Sequence, residues 1–155
     1  VCRCSRFRVE RGKVMAWQIK PREEPPYYVA KSKPVKSKGY LKFLHLLPCA
    51  VTGRRDAIQA AHLSFPNAAL GHYGRPKGLK VSDRWTLPLC AEEHAKQHSG
   101  NEREYWSAVG IDPHVLALTI HGLWVELGDD AVAKAEAVIN ARLAAAGRLR
   151  NRETV

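Results

Sequence analysis

The sequence lacks long apolar runs and is poor in cysteine. No stretch approaches the roughly 20 residues that a membrane-spanning helix needs, and the longest, near Val115–Ile120, contains Thr119. The N-terminus has no apolar core of about 7–15 residues, so we expect no secretory signal and a cytoplasmic location. In that compartment the four cysteines are not expected to form a disulfide framework. With 155 residues, 45% hydrophobic and 26% charged, the chain is neither collagen-like nor wholly disordered.

Acidic residues are scarce relative to basic ones. The chain carries 25 Lys and Arg against 15 Asp and Glu, a formal net charge of +10. The excess is uneven, because residues 1–39 hold 11 basic and 3 acidic residues whereas residues 40–155 hold 14 and 12. A basic arm on a nearly neutral body favours a polyanion as partner, nucleic acid first.

Three segments follow from composition. Residues 1–39 combine four prolines with the Lys-rich run Lys31–Lys38, and their few apolar residues show no period. Such a segment buries too little surface to offset its chain entropy, which predicts a largely disordered basic arm. Residues 40–128 are predicted to form the main domain, and residues 129–155 an Ala-rich helix with a frayed tail.

Apolar periodicity and capping residues predict an α+β, mostly helical fold. A Gly- and Pro-rich loop over 63–82 interrupts the short strands, and such long loops are usually functional. Ser99 and Glu102 have capping-box spacing, Asp112 precedes a Pro at the first helical position, and Asp129 is the expected cap of the last helix. The predicted elements are a helix over 40–47, a turn over 52–56 between short strands, strands over 57–62 and 85–89, and helices over 91–98, from the Ser99 cap to 110, over 113–127 and over 129–146.

Three histidines are candidates for chemistry. His94 and His98 are four residues apart, so they share one helical face and lie near enough to bind one cation. The pair alone is equally typical of two surface histidines. His62 ends the first predicted strand, and alone it would more often be a partly buried structural histidine than a base.

The combination is more specific than its parts. A strand ending in His62, a basic Gly-rich loop, a second strand and a helix with two histidines form the ββα-metal layout. The segments that carry a family likeness are Cys49–Arg54, Ala60–Leu63, Gly78–Cys90, Glu93–His98, Tyr105–Trp106 and Gly110–Pro113. Over roughly Tyr40–Leu127 the chain resembles the HNH (His-Me finger) endonucleases, above all small phage and prophage proteins of the recombination-enhancement (Ref-like) type.

The resemblance implies a metal-dependent endonuclease that hydrolyses DNA phosphodiester bonds on a ββα-metal core with flanking helices. It places His62 as the general base that activates water, since a neutral imidazole near pH 7 accepts a proton. It places His94 and His98 on one divalent cation, which is Mg, Mn, Ni or Zn. Asp83 falls in the middle position, either as a metal ligand or as the group that orients His62.

The chain departs from the family pattern at two places. Many HNH proteins carry Asp or His before the base, where this chain has Ala61. Many also bind a structural zinc with two CxxC pairs, but here Cys49 pairs with Thr52 and Cys90 with Glu93. A four-cysteine zinc site is therefore excluded in the ordered body, and Cys49 and Cys90 are left either as zinc ligands, alone or with a histidine, or as two buried thiols.

Partners and alternatives follow from the same features. Six basic side chains surround the predicted site in sequence and are candidate phosphate contacts: Arg54, Arg55, Arg75, Lys77, Lys80 and Arg84. The resemblance implies a phage or prophage protein of a bacterial host that acts in recombination or DNA processing, with a recombinase or a DNA-bound protein filament as a further candidate partner and no membrane. One alternative is a non-catalytic nucleic-acid-binding module on a ββα scaffold. Another is an assembly protein whose arm binds packaged DNA, which leaves the histidine spacing unexplained.

Overall fold

A computed structural model describes residues 36–74 and 81–149. The predicted disordered arm lies outside these residues, apart from its last four positions, and so do Arg75, Lys77, Lys80 and the end of the predicted tail. Of those four positions Lys38 and Gly39 are helical, because the first helix covers Lys38–Leu44 rather than the predicted 40–47. Within the described part the fold is α+β and mostly helical, as predicted, with five α-helices and one two-stranded sheet.

The sheet is a pair of antiparallel strands, β1 (Ile58–His62) and β2 (Thr86–Cys90). The register places His62 opposite Thr86 and Ile58 opposite Cys90. All five residues of β2 are buried, whereas β1 is only partly covered. Each strand starts one residue later than its predicted start. The short apolar runs of the sequence therefore predicted both strands to within one residue.

The described residues form five α-helices, and their bounds are α1 (Lys38–Leu44), α2 (Ala91–His98), α3 (Glu102–Val109), α4 (Pro113–Leu127) and α5 (Val132–Ala145). The prediction for α2 is confirmed at both ends, and Asp112 caps α4 by accepting from two backbone N–H groups. The prediction for the α3 cap is wrong. Asn101 caps that helix, and the Ser99 hydroxyl instead donates to the carbonyl oxygen of Lys96.

The start of the last helix also differs from the prediction. Asp129 lies in a 3₁₀ turn over Gly128–Ala131, and α5 begins only at Val132 without a side-chain cap. The face of α5 that packs inward is formed by Ala135, Ile139 and Leu143, which are fully buried. The Leu143 side chain packs against the turn at Gly53.

The core lies between the sheet and the long helix α4. That helix packs against α1, β2, α5 and the 3₁₀ turn Asp83–Trp85. Its buried apolar side chains meet Trp85 and the apolar face of α5. No single described helix is long and apolar enough to span a membrane, and the pair Glu102–Val109 and Pro113–Ala145 reaches the required length only together, with a bend of 81°.

A tight turn ties the segment after α1 to the sheet. The Cys49 N–H donates to the Arg54 carbonyl at 2.7 Å, and the Ala50 N–H donates to the Pro88 carbonyl at 2.8 Å. Gly53 adopts a φ of +69°, a left-handed conformation that favours glycine. The predicted turn is present here, but helix α1 precedes it in the described residues and no strand does. The turn therefore fixes where β1 begins.

Candidate active site

His62 and Asp83 form a hydrogen-bonded pair at the end of the sheet. Nε2 of His62 lies 3.0 Å from Oδ1 of Asp83, and the Asp83 side chain is only 11% exposed while that of His62 is 37% exposed. A carboxylate only accepts, so Nε2 donates and Nδ1 keeps its lone pair. The second Asp83 oxygen accepts the backbone N–H of Ser37 at 2.7 Å. This geometry matches the orienting role for Asp83, one of the two roles left open by the sequence.

Strand pairing brings the two residues together. His62 is the last residue of β1 and lies opposite Thr86, the first residue of β2. One position later, the Leu63 N–H donates to the Trp85 carbonyl at 2.9 Å. Asp83 lies in the 3₁₀ turn that leads directly into β2. The antiparallel register therefore determines the contact between residues that are 21 positions apart.

His94 and His98 converge on the exposed face of α2. Their Nε2 atoms lie 3.1 Å apart, and Nδ1 of His94 lies 2.6 Å from Oε1 of Gln59 on β1. Two nitrogen atoms at this separation match neighbouring ligands of one cation whose metal–nitrogen bonds are about 2.0–2.1 Å. The pKa of His94 is lowered, first by burial and then by the nearby His98 and His62 imidazoles. The third histidine thus lies within electrostatic reach of the pair.

The residues present fit a cation held by two protein ligands. Within 36–74 and 81–149, no group of three or more His, Cys, Asp and Glu side chains is arranged to hold a metal ion. Asp83 is occupied by His62 and Ser37. Ala61 is fully buried opposite Leu87 and has no donor atom. A cation on the histidine pair would keep its other positions for water or substrate oxygen, as catalytic metals commonly do.

A buried polar network lies beneath the site. The Gln97 amide donates to the His62 carbonyl at 3.1 Å and to Glu102 at 2.6 Å. The Glu102 carboxylate also accepts from the backbone N–H and the hydroxyl of Ser64. These bonds fix the end of β1 to helices α2 and α3. Sequence reasoning missed Gln97 and assigned Glu102 to a cap. Glu93 and Gln97 form a second, buried face of α2, but a Glu and a Gln four residues apart are equally typical of a solvated face.

His72 lies in the interior, so it does not have the accessible position that a phosphate contact from the basic loop would need. It is 3% exposed, its ring stacks on Trp85 at a centroid distance of 4.7 Å, and its Nδ1 lies 2.9 Å from Nε2 of His114. Burial, followed by the neighbouring His114 and Arg84, lowers the pKa of His72 to about 4. The residue holds the loop against the core as a neutral imidazole.

Cys49 and Cys90 are free, buried thiols at the turn and at the start of α2. Burial and the adjacent Cys49 thiol raise the pKa of Cys90. Glu93 stands where the family pattern has the second cysteine of a CxxC pair that begins at Cys90. Its carboxylate accepts from Lys96 at 2.7 Å and from Tyr105 at 2.8 Å. Since the described residues provide no third ligand beside them, the two cysteines fit the buried-thiol alternative better than a zinc site.

Three of the candidate phosphate contacts already have protein partners. Arg54 forms ion pairs with Asp56 and Glu92, and Arg55 pairs with Glu136 at 2.6 Å. The Arg84 guanidinium lies 4.9 Å from the centre of the Trp85 ring and donates to the Gly71 carbonyl. Arg75, Lys77 and Lys80 are outside the described residues, so their role stays a prediction.

The comparisons with known proteins place the chain in a family. It combines an antiparallel strand pair, a helix that follows it directly and a histidine-rich site on that unit. Residues 5–124, most of the chain, match the family described as protein of unknown function (DUF968), and the chain belongs to that family. No curated protein and no solved structure is significantly similar to it.

Proposed function

We propose that this protein is a metal-dependent endonuclease of the HNH class that hydrolyses DNA phosphodiester bonds on a ββα-metal core. The observation that carries the proposal is the presence of two functional pairs on one β1–β2–α2 unit. One pair is His62 with Asp83, and the other is His94 with His98. The first suits proton transfer and the second suits one cation, the two parts that this hydrolysis needs.

His62 serves as the general base in this proposal. Asp83 accepts the Nε2–H of the imidazole, so the lone pair on Nδ1 is available for a water proton. As that proton moves to Nδ1, the water oxygen bonds to phosphorus and the bond from phosphorus to the 3′ oxygen breaks. The leaving oxygen takes a proton from solvent, which gives 5′-phosphate and 3′-hydroxyl ends. Asp83 stabilises the imidazolium that forms.

His94 and His98 would hold one divalent cation, which is Mg, Mn, Ni or Zn. When bound, such a cation stabilises negative charge on the phosphoryl oxygens and on the leaving 3′ oxygen. The chain contributes the two imidazoles, and Gln97 and Glu102 keep the end of β1 next to them. A structural zinc on Cys49 and Cys90 is not part of the proposal.

DNA is the proposed substrate because the family resemblance implies it, and the net charge of +10, with eleven basic residues in the first 39, supports a nucleic acid. Such an arm adds affinity without sequence specificity through counterion release. A role in phage or prophage recombination or DNA processing, in the cytoplasm of a bacterial host and with a recombinase or a DNA-bound protein filament as partner, follows from the family resemblance alone.

One specific observation favours a second function, a non-catalytic nucleic-acid-binding module. Ala61 lacks a ligand atom and the described residues contain no three-ligand group. A binding module, however, has no use for a carboxylate-oriented imidazole on the same β1–β2–α2 unit as a histidine pair, and this combination favours the enzyme.

Plasmid nicking tests the proposal. Purified protein is incubated with supercoiled DNA and Mg²⁺, Mn²⁺, Ni²⁺ or EDTA, beside the double variant His94→Ala/His98→Ala. We expect nicking that requires a divalent cation and is lost in the double variant. Salt-sensitive DNA binding without cleavage under any metal would contradict the nuclease proposal and support the binding module.

A further inference from the structure

Gln59 joins the sheet to the histidine pair. Its side-chain oxygen Oε1 lies 2.6 Å from Nδ1 of His94, across 35 residues of sequence. An amide oxygen only accepts, so Nδ1 carries the ring proton and donates it. A neutral imidazole has one ring proton, which leaves the lone pair on Nε2. Nε2 is the atom that lies 3.1 Å from His98.

We propose that Gln59 is a positioning residue that holds His94 in the tautomer able to bind a divalent cation. The inference rests on the proposed function, because the cation is the one that His94 and His98 would share. Histidine ligands generally donate their second ring N–H to a partner that fixes both tautomer and ring orientation. Loss of such a partner costs about 10- to 100-fold in metal affinity.

Strand geometry explains why Gln59 reaches the helix. Side chains two positions apart share one face of a strand, so Gln59 and Ala61 belong to the same face of β1. Helix α2 packs on β1 as well as on β2. Position 61 is fully buried and has only a methyl group. Ala61, the residue before the proposed base, therefore provides no metal ligand. Gln59, on the same face of β1, contacts the proposed ligand His94.

The two histidines differ in how they are held. Nδ1 of His94 is hydrogen-bonded to Gln59, whereas Nδ1 of His98 has no hydrogen-bond partner among the described residues. Without a cation, Nε2–H of His98 donates to Nε2 of His94. To bind a cation, His98 must move its proton to Nδ1 and free the Nε2 lone pair. Only His98 should change tautomer on binding.

Nitrogen-15 NMR of the metal-free protein tests the tautomer directly. In the wild type we expect His94, assigned by comparison with His94→Ala, to carry its proton on Nδ1. Gln59→Glu preserves an acceptor and should retain this tautomer, whereas Gln59→Leu should shift His94 towards Nε2–H. An Nε2–H tautomer in the wild type, or no change in Gln59→Leu, would overturn the inference.

Calorimetric titration with Mn²⁺ gives a second readout that does not involve cleavage. We expect Gln59→Leu to weaken binding about 10- to 100-fold, and Gln59→Glu to remain within about threefold of the wild type. Ser99→Ala, a neutral change at an exposed position beside His98, should leave affinity unchanged. If Gln59→Leu bound Mn²⁺ as tightly as the wild type while His94→Ala did not bind it, the role of Gln59 would be refuted but the metal site would not. Absence of Mn²⁺ binding in the wild type, or binding that survives His94→Ala, would refute the metal site and the role of Gln59 with it.

Discussion

Asp83 shares its two carboxylate oxygens between His62 and the backbone of Ser37. Ser37 is the N-cap of α1, and its hydroxyl accepts from the N–H of Tyr40. The side chain that orients the proposed base is therefore fixed at the point where the basic arm joins the domain. Two short polar contacts keep it rigid, which is what a general base requires of its orienting group.

His72 gives a pH prediction at the residue scale. Its pKa falls from 6.5 to about 4 on folding, so the unfolded chain binds the proton more readily between these values. The contribution of neutral His72 to the free energy of unfolding is therefore present above pH 6.5 and is lost as the pH falls towards 4. The loss is about 2–3 kcal/mol at pH 4.5. His72→Phe preserves a ring on Trp85 but removes the titrating group.

Urea denaturation at pH 7, 5.5 and 4.5 measures this effect. We expect the free energy of unfolding to fall more steeply with decreasing pH in the wild type than in His72→Phe. The comparison reports the contacting pair of His72 and His114, because the other described histidines keep their surroundings in both proteins. Parallel pH dependences of the two proteins would contradict the prediction.

Single residues were predictable where one spacing or one resemblance identifies them. His94 and His98 are four apart on a helix, and their convergence follows from that spacing. Gln59 and Gln97 were not predictable, because each acts on a partner 35 residues away. Such long-range contacts of neutral amides leave no local pattern in one sequence.

At the scale of elements, the network between β1, α2 and α3 holds the site together. Glu102→Ala would leave the buried Gln97 amide without one of its acceptors and would remove the bonds from Ser64, which is an exposed residue. An unpaired buried donor costs about 1–3 kcal/mol, so we expect a loss of about 2–3 kcal/mol in the free energy of unfolding. Urea denaturation measures it.

The matched control is Glu104→Ala on the same helix. Glu104 is exposed, and among residues 36–74 and 81–149 it accepts only from the Asn101 side chain. We expect this variant to stay within about 0.5 kcal/mol of the wild type. Equal losses in the two variants would show that the buried network adds nothing beyond helix propensity.

Element types were predicted well, and their caps less well. β1, β2, α2 and α4 were predicted within about one residue because short apolar runs and an Asp-Pro start are local signals. The Ser99 cap was wrong for a tertiary reason. A capping box needs Glu102 to fold back towards Ser99, but its carboxylate points inward to Ser64, 38 residues earlier.

For the whole molecule, the basic arm gives a prediction about DNA binding. Removing residues 1–35 preserves Ser37 and its contact with Asp83 but deletes nine basic residues. For every phosphate that the shortened protein no longer neutralises, the slope of log affinity against log salt should fall by about 0.9. Fluorescence anisotropy over a salt series measures this slope, and we expect weaker, less salt-dependent binding.

A full-length variant with those nine residues changed to Gln and Ser separates charge from length. It should behave like the truncation. If the truncation and this variant both had the wild-type slope, the arm would have no part in DNA binding, and the +10 net charge would need another explanation.

The central claim is that His62 activates water for DNA hydrolysis, and single-turnover cleavage by His62→Ala tests it most directly. Cleavage is measured with DNA saturating both proteins, and binding is measured separately by anisotropy. We predict that cleavage falls by at least about 100-fold, the usual contribution of a general base, while DNA affinity stays within about threefold. Cleavage at the wild-type rate, or a loss of DNA binding that accounts for the loss of cleavage, would contradict the account.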